Sequence, residues 1–523
     1  MKIRRRKGGL GLNEPLRHPD HSRPVTRRDF LSQGFITGAA TVAGFSAFSL
    51  FANPRAAQAA LASDIQALKA SCGITAGAGL IPFVAFDLAG GANIAGSNVL
   101  VGQAGGQMDF LSTAGYSKLG LPGNMNPNSS VGTGSFIDTS LGLAFHSDSA
   151  QLRGILASTK TAPNTPIVGV SGAVIPARSE NDTGTNPHNP MYGIYTAGAK
   201  GELLTLIGTE SSDSGGNSAA PSYMMDATVR PTKVDRASDV TGLVDTGKLV
   251  GLLSQDDATA VLESIERLSK NKLDAINTNV SADAVIKDLV QCGYVKSAYL
   301  ADQFGNALTA LNPDLDAQIV GPSGIFTAAE YAGSSDFRAT AAVMKMVING
   351  YAGAGTIEMG GFDYHTGDRS TGELRDANAG RCIGAVLEYA RRMASPVMIY
   401  VFSDGSLSSN GMIDNSTDGR GKGVWTGDNQ STAASYFLVY NPLGAITPIT
   451  TQIGSYNASG DINNSSSPAA NAVNLLAETV VLNYLALHGR QGEFANLKWA
   501  NGTGTSLGSG AALDALIAMP PIR

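Results

Sequence analysis

Residues 397–405 read Val-Met-Ile-Tyr-Val-Phe-Ser-Asp-Gly, an uninterrupted apolar run that ends at a small residue and an aspartate. Two other stretches share this pattern. Residues 82–91 read Pro-Phe-Val-Ala-Phe-Asp-Leu-Ala-Gly-Gly, and residues 356–365 read Thr-Ile-Glu-Met-Gly-Gly-Phe-Asp-Tyr-His. Short apolar runs bounded by glycine are typical of strands that are buried on both faces of a parallel sheet. The three runs therefore predict a buried sheet.

The segments around these runs complete the fold prediction. Helical spacing over residues 373–393 separates two of the predicted strands, and a β-α-β order implies parallel strands joined by a right-handed crossover. Residues 436–440 predict a further strand, and residues 469–488 predict an amphipathic helix. We therefore expect an α/β fold, a three-layer sandwich with a mostly parallel central sheet.

Two long segments lie between the predicted strands. Residues 176–235 are polar, with clusters of Pro, Gly, Ser and Asn, which predicts a long surface excursion. Residues 236–350 show helical spacing. This helical mid-chain block is either an insertion or a set of helices that flank the sheet.

The N-terminal segment differs in composition from the rest of the chain. Residues 26–31 read Thr-Arg-Arg-Asp-Phe-Leu and precede a weakly apolar stretch, residues 34–52, and then Ala57-Gln58-Ala59. This order of basic region, apolar region and small-residue cleavage site matches a twin-arginine signal peptide. Threonine and glycine recur through the apolar stretch, which disfavours the alternative of a membrane anchor. We expect a signal peptide over residues 1–59 and one α/β domain over residues 60–523.

This signal predicts a periplasmic or extracellular protein, with the twin-arginine translocase as its partner during export. Without residues 1–59 the chain keeps 27 basic and 40 acidic residues, a net charge of −13. Such a charge disfavours binding to nucleic acid or to an anionic membrane. We therefore expect no nucleic-acid partner and no stable membrane span after cleavage.

The ends of the three apolar runs predict a metal site. In open α/β sheets, ligands bind outside the carboxyl ends of the strands, which here carry Asp87, Asp363 and Asp404. Three convergent carboxylates repel one another unless a cation lies among them. Asp363 and His365 are two residues apart on an extended segment, so both side chains project the same way. Asp87, Asp363, His365 and Asp404 are therefore the predicted metal ligands.

An alternative interpretation is that these are ordinary turn aspartates that cap the following helices, with His365 as a surface group. If a metal binds, the abundance of Asp, Asn and Ser oxygens favours calcium, magnesium or manganese. Zinc is less favoured because only six histidines are present. Three cysteines in 523 residues are too few for a disulfide framework or a zinc cluster.

A family resemblance adds to this interpretation. It is carried by the twin-arginine leader, by residues 87–91 (Asp-Leu-Ala-Gly-Gly), by residues 141–146 (Leu-Gly-Leu-Ala-Phe-His) and by residues 360–365 (Gly-Gly-Phe-Asp-Tyr-His). In these features the chain resembles the domain of unknown function 1501 family, exported bacterial proteins placed near the sulfatases in the alkaline-phosphatase-like superfamily. The resemblance spans most of the mature chain. It implies an alkaline-phosphatase-like fold with metal ligands at Asp87, Asp363, His365 and Asp404.

The chain also departs from the superfamily pattern. Gly405 stands where members usually carry a histidine after the aspartate, and Asp428-Asn429-Gln430 stands where the family has Asp-His-Gly. No sulfatase-type Cys-x-x-x-Arg segment follows Asp87, and Ser97 is the nearest candidate for a catalytic hydroxyl. These departures disfavour a two-zinc phosphatase mechanism and leave a one-metal site, or a site retained for binding, open.

Two functions follow from these observations. The first is a metal-dependent hydrolase acting on a phosphate or sulfate ester of a small molecule or glycan, with the cation polarising the ester oxygen. The second is a non-catalytic exported protein whose degenerate site binds a structural ion or a surface ligand. The first prediction rests by analogy on the superfamily fold.

Overall fold

The computed structural model of the chain describes residues 61–72, 74, 79–128, 134–158, 167–179, 186–243, 253–277, 283–304 and 311–522. The predicted signal peptide lies outside the described residues. The chain forms two compact units. Of the described residues, those at 61–68 and 253–303 belong to the smaller unit, and those at 69–243 and 304–522 belong to the larger unit.

Eleven strands occur among the described residues. They are β1 (Phe83–Leu88), β2 (Ile137–Asp138), β3 (Phe145–His146), β4 (Val170–Pro176), β5 (Leu204–Gly208), β6 (Thr232–Lys233), β7 (Ala352–Met359), β8 (Val397–Phe402), β9 (Leu407–Asp414), β10 (Lys422–Asp428) and β11 (Ala434–Tyr440). Seven of them form the central sheet in the order β4-β11-β8-β1-β7-β5-β6. The five strands from β8 to β6 run parallel, and β11 is antiparallel to both of its neighbours. The mostly parallel sheet is thus confirmed.

The helices of the described residues are α1 (Ser63–Leu68), α2 (Thr113–Lys118), α3 (Ala150–Ala157), α4 (Met191–Thr196), α5 (Ala237–Gly242), α6 (Gln255–Ala275), α7 (Asp283–Phe304), α8 (Ala328–Gly333), α9 (Ser335–Ile348), α10 (Ser370–Arg392), α11 (Val473–Leu487) and α12 (Ala511–Asp514). Three of the six described helices with eight or more residues begin at a capping serine hydroxyl. Ser149, Ser254 and Ser334 each accept a hydrogen bond from the third residue of their helix.

Helices cover both faces of the central sheet. On one face, alternate residues of β1 and β8, among them Phe83 and Tyr400, pack in one apolar core with α4 and α11. On the other face, α9 and α10 lie against β7, β8 and β11. Gly355 in β7 allows a close approach, because a side-chain carbon there would lie 2.6 Å from Val343 of α9. The result is an α/β sandwich of three layers.

The polar segment 176–235 is not the surface excursion that its composition predicts. It supplies β5 and β6 of the central sheet, and Asn186, Asn189 and Ser218 in its loops are buried. Their side chains satisfy backbone and carboxylate groups at the strand ends, which composition alone does not reveal. The prediction was wrong because buried polar groups with specific partners were interpreted as solvated ones.

The mid-chain helical block divides between the two units. Helices α6 and α7 belong mainly to the smaller unit, whereas α5, α8 and α9 belong to the larger one. Within the smaller unit, Arg267 of α6 donates to Asp64 of α1 at 2.6 Å, and Gln291 of α7 donates to Glu266 of α6 at 2.9 Å. Across the described residues, no helix combines the length and the apolar character that crossing a membrane requires.

Candidate metal centre

The three predicted strand ends are neighbours in the sheet, because β1 lies between β8 and β7. The aspartates that follow β8 and β7 approach one glycine, Gly90, just beyond β1. The Gly90 N–H donates to Oδ1 of Asp404 at 2.8 Å. A side-chain carbon on Gly90 would lie 2.6 Å from the backbone nitrogen of Asp363, and its φ of +119° disfavours other residues. The structure therefore gathers Asp87, Asp363 and Asp404 at one edge of the sheet.

Asp87 and Asp404 form the more deeply placed part of the site, which we call the inner carboxylate pair. Both residues are fully buried. Asp87 accepts hydrogen bonds from the N–H and the hydroxyl of Ser218, at 2.7 and 2.8 Å. Asp404 accepts from the amide of Asn217 at 3.1 Å. The loop after β5 thus supplies donors to both carboxylates.

The electrostatics of the inner carboxylate pair favour an additional cation or proton. Burial, opposed in part by the donors of Ser218 and reinforced by the charge of Asp404, raises the pKa of Asp87 to about 7. Glu358 is the partner of Asp87 in the register between β1 and β7. Burial, with the charge of Asp87 next in size, raises the pKa of Glu358 to about 7 as well. Negative charge is therefore in excess at this strand end.

Asp363 and His365 belong to a second group, more exposed, which we call the outer triad. It consists of Asp363, His365 and Asp428, and one ligand atom from each lies within 4.8 Å of the other two. His365 Nε2 is 2.8 Å from Oδ1 of Asp363 and 3.6 Å from Oδ1 of Asp428. Of all the described residues, only these form such a group of three possible ligands.

The β9–β10 hairpin brings Asp428 to this place. Asp428 is the last residue of β10, and β10 lies against the segment that follows the Gly-Gly-Phe-Asp-Tyr-His motif. Gly367 N–H donates to the carbonyl of Trp425 at 3.1 Å, and Trp425 N–H donates to the carbonyl of Asp368 at 3.2 Å. Because the two segments are about sixty residues apart in the chain, no local pattern in the sequence indicates that they are in contact. Asp428 was therefore absent from the predicted ligands, although the resemblance described above includes its segment.

Ser97, the candidate catalytic hydroxyl, is placed in a tight turn beyond β1. It is fully buried, and its hydroxyl donates to Oδ1 of Asn93 at 3.1 Å. The same turn is fixed by the side chain of Asn98, which donates to Asp376 of α10 at 2.7 Å. In this arrangement the hydroxyl of Ser97 stabilises the turn through its hydrogen bond to Asn93, and it is not exposed for attack on a substrate.

A further buried group near the strand ends is His188, in the segment that leads into α4. Its ring is stacked on Phe402, the last residue of β8, with ring centroids 6.1 Å apart. Neither ring nitrogen has a hydrogen-bond partner among the described residues. Burial lowers the pKa of His188 to about 4, so the imidazole is neutral at pH 7.

No protein-family model matches this chain, and no curated protein is significantly similar to it. The candidate site is therefore interpreted from its own geometry.

Proposed function

We propose that this chain is an exported metal-binding protein of alkaline-phosphatase-like or sulfatase-like fold that hydrolyses a phosphate or sulfate ester. The observation that carries the proposal is the outer triad, two carboxylates and an imidazole within 4.8 Å of one another beside a strand end. Such a ligand set suits a divalent cation with both oxygen and nitrogen ligands. The triad is partly exposed, which leaves room for a substrate.

A divalent cation at the outer triad would polarise an ester oxygen and lower the pKa of a bound water. The chain's own residues supply the remaining requirements. Asp363 and Asp428 provide the negative charge that retains the cation, and His365 is held between them. Because the Ser97 hydroxyl is tied to Asn93, water is the nucleophile in this proposal.

A non-catalytic binding protein is the second candidate, and one observation favours it. The carboxylates of the inner carboxylate pair already accept hydrogen bonds from Gly90, Asn217 and Ser218, as structural aspartates do. In this alternative the strand-end acids hold the loop after β5, and a cation at the outer triad has a structural role. Metal binding is expected under both candidates, whereas ester hydrolysis is expected only under the first.

Hydrolysis of p-nitrophenyl phosphate and p-nitrophenyl sulfate separates the two candidates. We expect the exported protein to cleave one of these esters with Mn²⁺, Zn²⁺, Mg²⁺ or Ca²⁺, and to lose activity on chelation. Asp428→Asn removes an anionic ligand and should lower kcat/KM at least tenfold. The matched control is Asp418→Asn, an exposed aspartate in the turn of the same hairpin. Equal activity of the two variants, or no cleavage of either ester with any of the four ions, would contradict the hydrolase proposal.

The proposal of export rests on the twin-arginine pattern at Arg27 and Arg28. We expect the double variant Arg27→Lys, Arg28→Lys to remain in the cytoplasm as folded protein, since the translocase reads this pair. Cell fractionation with immunoblotting measures the distribution. Normal amounts of the double variant in the periplasm would contradict the proposed localisation.

A further inference from the structure

We propose that Asp376 is a positioning residue for the outer triad, which it serves by holding Tyr364, the residue between two of the proposed ligands. Asp376 lies in the second turn of α10, and the hydrogen bonds of its carboxylate go to Tyr364 and Asn98. It therefore acts on the triad through the segment that carries the ligands and not as a ligand itself. The inference depends on the proposed metal binding by the outer triad, but it does not depend on ester hydrolysis.

Tyr364 faces the interior of the protein, whereas the two ligands beside it face outward. The side chains of Asp363 and His365 are 61% and 33% exposed, and Tyr364 is 1% exposed. Phe362, on the other side of Asp363, is also 1% exposed, so burial alternates along the motif. Successive side chains of an extended segment project to opposite sides. The buried ring of Tyr364 therefore anchors the inner side of the segment whose outer side carries the ligands.

The hydroxyl of Tyr364 is fixed from two elements of the fold. It donates a hydrogen bond to Oδ1 of Asp376 in α10 at 3.1 Å, and it accepts one from the N–H of Asn93, in the segment after β1, at 3.0 Å. Helix α10 also packs directly on the ring, because a side-chain carbon on Gly372 would lie 3.0 Å from it. Burial raises the pKa of Tyr364 well above its usual range, so the hydroxyl keeps its proton and stays a donor.

The carboxylate of Asp376 closes a ring of hydrogen bonds around this hydroxyl. Its Oδ2 accepts from Nδ2 of Asn98 at 2.7 Å, and the same nitrogen donates to the carbonyl of Asn93 at 2.9 Å. All four residues of the ring are 1% exposed or less. Hydrogen bonds are stronger in such a low-dielectric interior than in water. The ring therefore ties Tyr364 both to α10 and to the segment after β1.

The two donors that flank Asp376 require an acceptor on both sides. A carboxylate supplies acceptor lone pairs at both oxygens, whereas the amide of an asparagine would turn a donor toward Tyr364 or toward Asn98. The carboxylate also lacks an ion pair among the described residues, and a buried charge without one costs free energy. A carboxylate at this position is therefore explained by the two hydrogen bonds that it accepts and not by an ion pair.

The protonation state of Asp376 links this ring to pH. The charged and titratable groups that face Asp376 from the elements packed around it are Glu373, Arg369, Tyr364 and Tyr436. Burial, opposed by the donor of Asn98 and reinforced by the charge of Glu373, raises the pKa of Asp376 to about 7. Below this pKa a proton occupies one of the two acceptor oxygens, so one donor loses its partner. We therefore expect the ring to hold Tyr364 most firmly above this pKa, where both hydrogen bonds are charge-assisted.

Calorimetric titration of the chelator-treated full chain with Mn²⁺ at pH 8 tests the inference. We expect Tyr364→Phe and Asp376→Asn each to bind Mn²⁺ roughly fivefold or more weakly than wild type, since substitutions behind metal ligands cost about 10–100-fold. Tyr484→Phe is the matched control and should keep the wild-type affinity. This tyrosine is fully buried and donates to the carbonyl of Ile81 at 2.8 Å, just before β1 and so at the opposite end of that strand from the triad. Wild-type affinity in Tyr364→Phe or Asp376→Asn, or equal weakening in the control, would overturn the inference. Absence of Mn²⁺ binding by wild type would overturn the outer triad itself, and the inference with it.

The pH profile of Mn²⁺ binding separates positioning from a purely structural role. The ratio of the dissociation constants of Asp376→Asn and wild type cancels the protonation of the ligands themselves, which both proteins share. We expect this ratio to rise from about one at pH 6 to roughly five or more at pH 8, because only wild type gains a charge-assisted acceptor. If Asp376→Asn does not fold, Tyr364→Phe takes its place in the ratio, since it lacks the hydroxyl that the carboxylate holds. A ratio that stays constant between pH 6 and pH 8 would overturn the inference, even if the variant binds Mn²⁺ more weakly than wild type.

Discussion

Replacement of Glu373 by glutamine is expected to destabilise the folded protein by about 3–5 kcal/mol, the cost of breaking a buried ion pair. Glu373, at the start of α10, is 3% exposed and accepts from Arg369, Lys422 and Arg153, each at 2.8 Å. Lys422 and Arg369 are themselves fully or nearly fully buried. Glutamine would leave Lys422 its ion pair with Asp148 at 3.2 Å, but it would remove the carboxylate that pairs with Arg369.

The pKa of Glu373 indicates how strongly the cluster holds the negative charge. Burial alone would raise this pKa, but the charges of Arg369 and Lys422 and the hydrogen bonds from Arg153 and Lys422 lower it to about 2. Lys422 is the first residue of β10, whose last residue is Asp428 of the outer triad. Loss of the Glu373 charge should therefore also weaken the attachment of the hairpin that carries Asp428, a proposed ligand.

The measurement is the melting temperature of wild type and variant in chelator, where roughly 1 °C corresponds to 1 kcal/mol for a chain of this size. Glu493→Gln is the control, because Glu493 pairs with Arg490 at 2.7 Å but is half exposed. An exposed ion pair contributes little to stability, because solvent screens its charges. Equal shifts in melting temperature for the two variants would show that the ion pairs of Glu373 stabilise the fold no more than an exposed ion pair does.

Replacement of Asp87 by asparagine is expected to stabilise the metal-free protein at pH 8. The pKa of Asp87 is about 7 in the folded state, whereas the unperturbed pKa of an aspartate, expected in the unfolded chain, is 3.8. Between these pH values the folded state holds a proton that the unfolded state has lost. The free energy of unfolding therefore falls as the pH rises from about 4 to about 7, by on the order of 4 kcal/mol from this group.

Asparagine removes this pH-dependent contribution and keeps the hydrogen bonds with Ser218. The melting temperature of the variant in chelator should exceed that of wild type by about 3–5 °C at pH 8, and the difference should vanish near pH 4. Thermal melts at half-unit pH intervals measure it. A difference that is constant with pH, or a less stable variant at pH 8, would contradict a buried carboxyl with a raised pKa at this strand end.

The sequence was sufficient for the core of the fold. The run at 397–402 coincides with β8, and the run that precedes Asp87 lies in β1, because continuous apolar segments report burial on both faces. The β-α-β order correctly predicted the parallel direction of β7 and β8. It could not show that β1 lies between them, since strand order depends on long-range packing.

The candidate site was only partly predictable. The gathering of Asp87, Asp363 and Asp404 at one sheet edge follows from strand ends alone. The separation into an inner carboxylate pair and an outer triad does not, because it depends on Asp428 and Ser218, which come from a hairpin and from the loop after β5.

The central claim is that the strand ends bind a divalent cation through the outer triad. Isothermal titration calorimetry of the chelator-treated protein with Mn²⁺ tests this claim most directly. The proteins compared are wild type, His365→Gln, Asp428→Asn and the control Asp418→Asn. The account predicts saturable binding by wild type and Asp418→Asn, and at least tenfold weaker binding by the other two variants. Absence of saturable binding in wild type, or equal affinities in all four proteins, would contradict it.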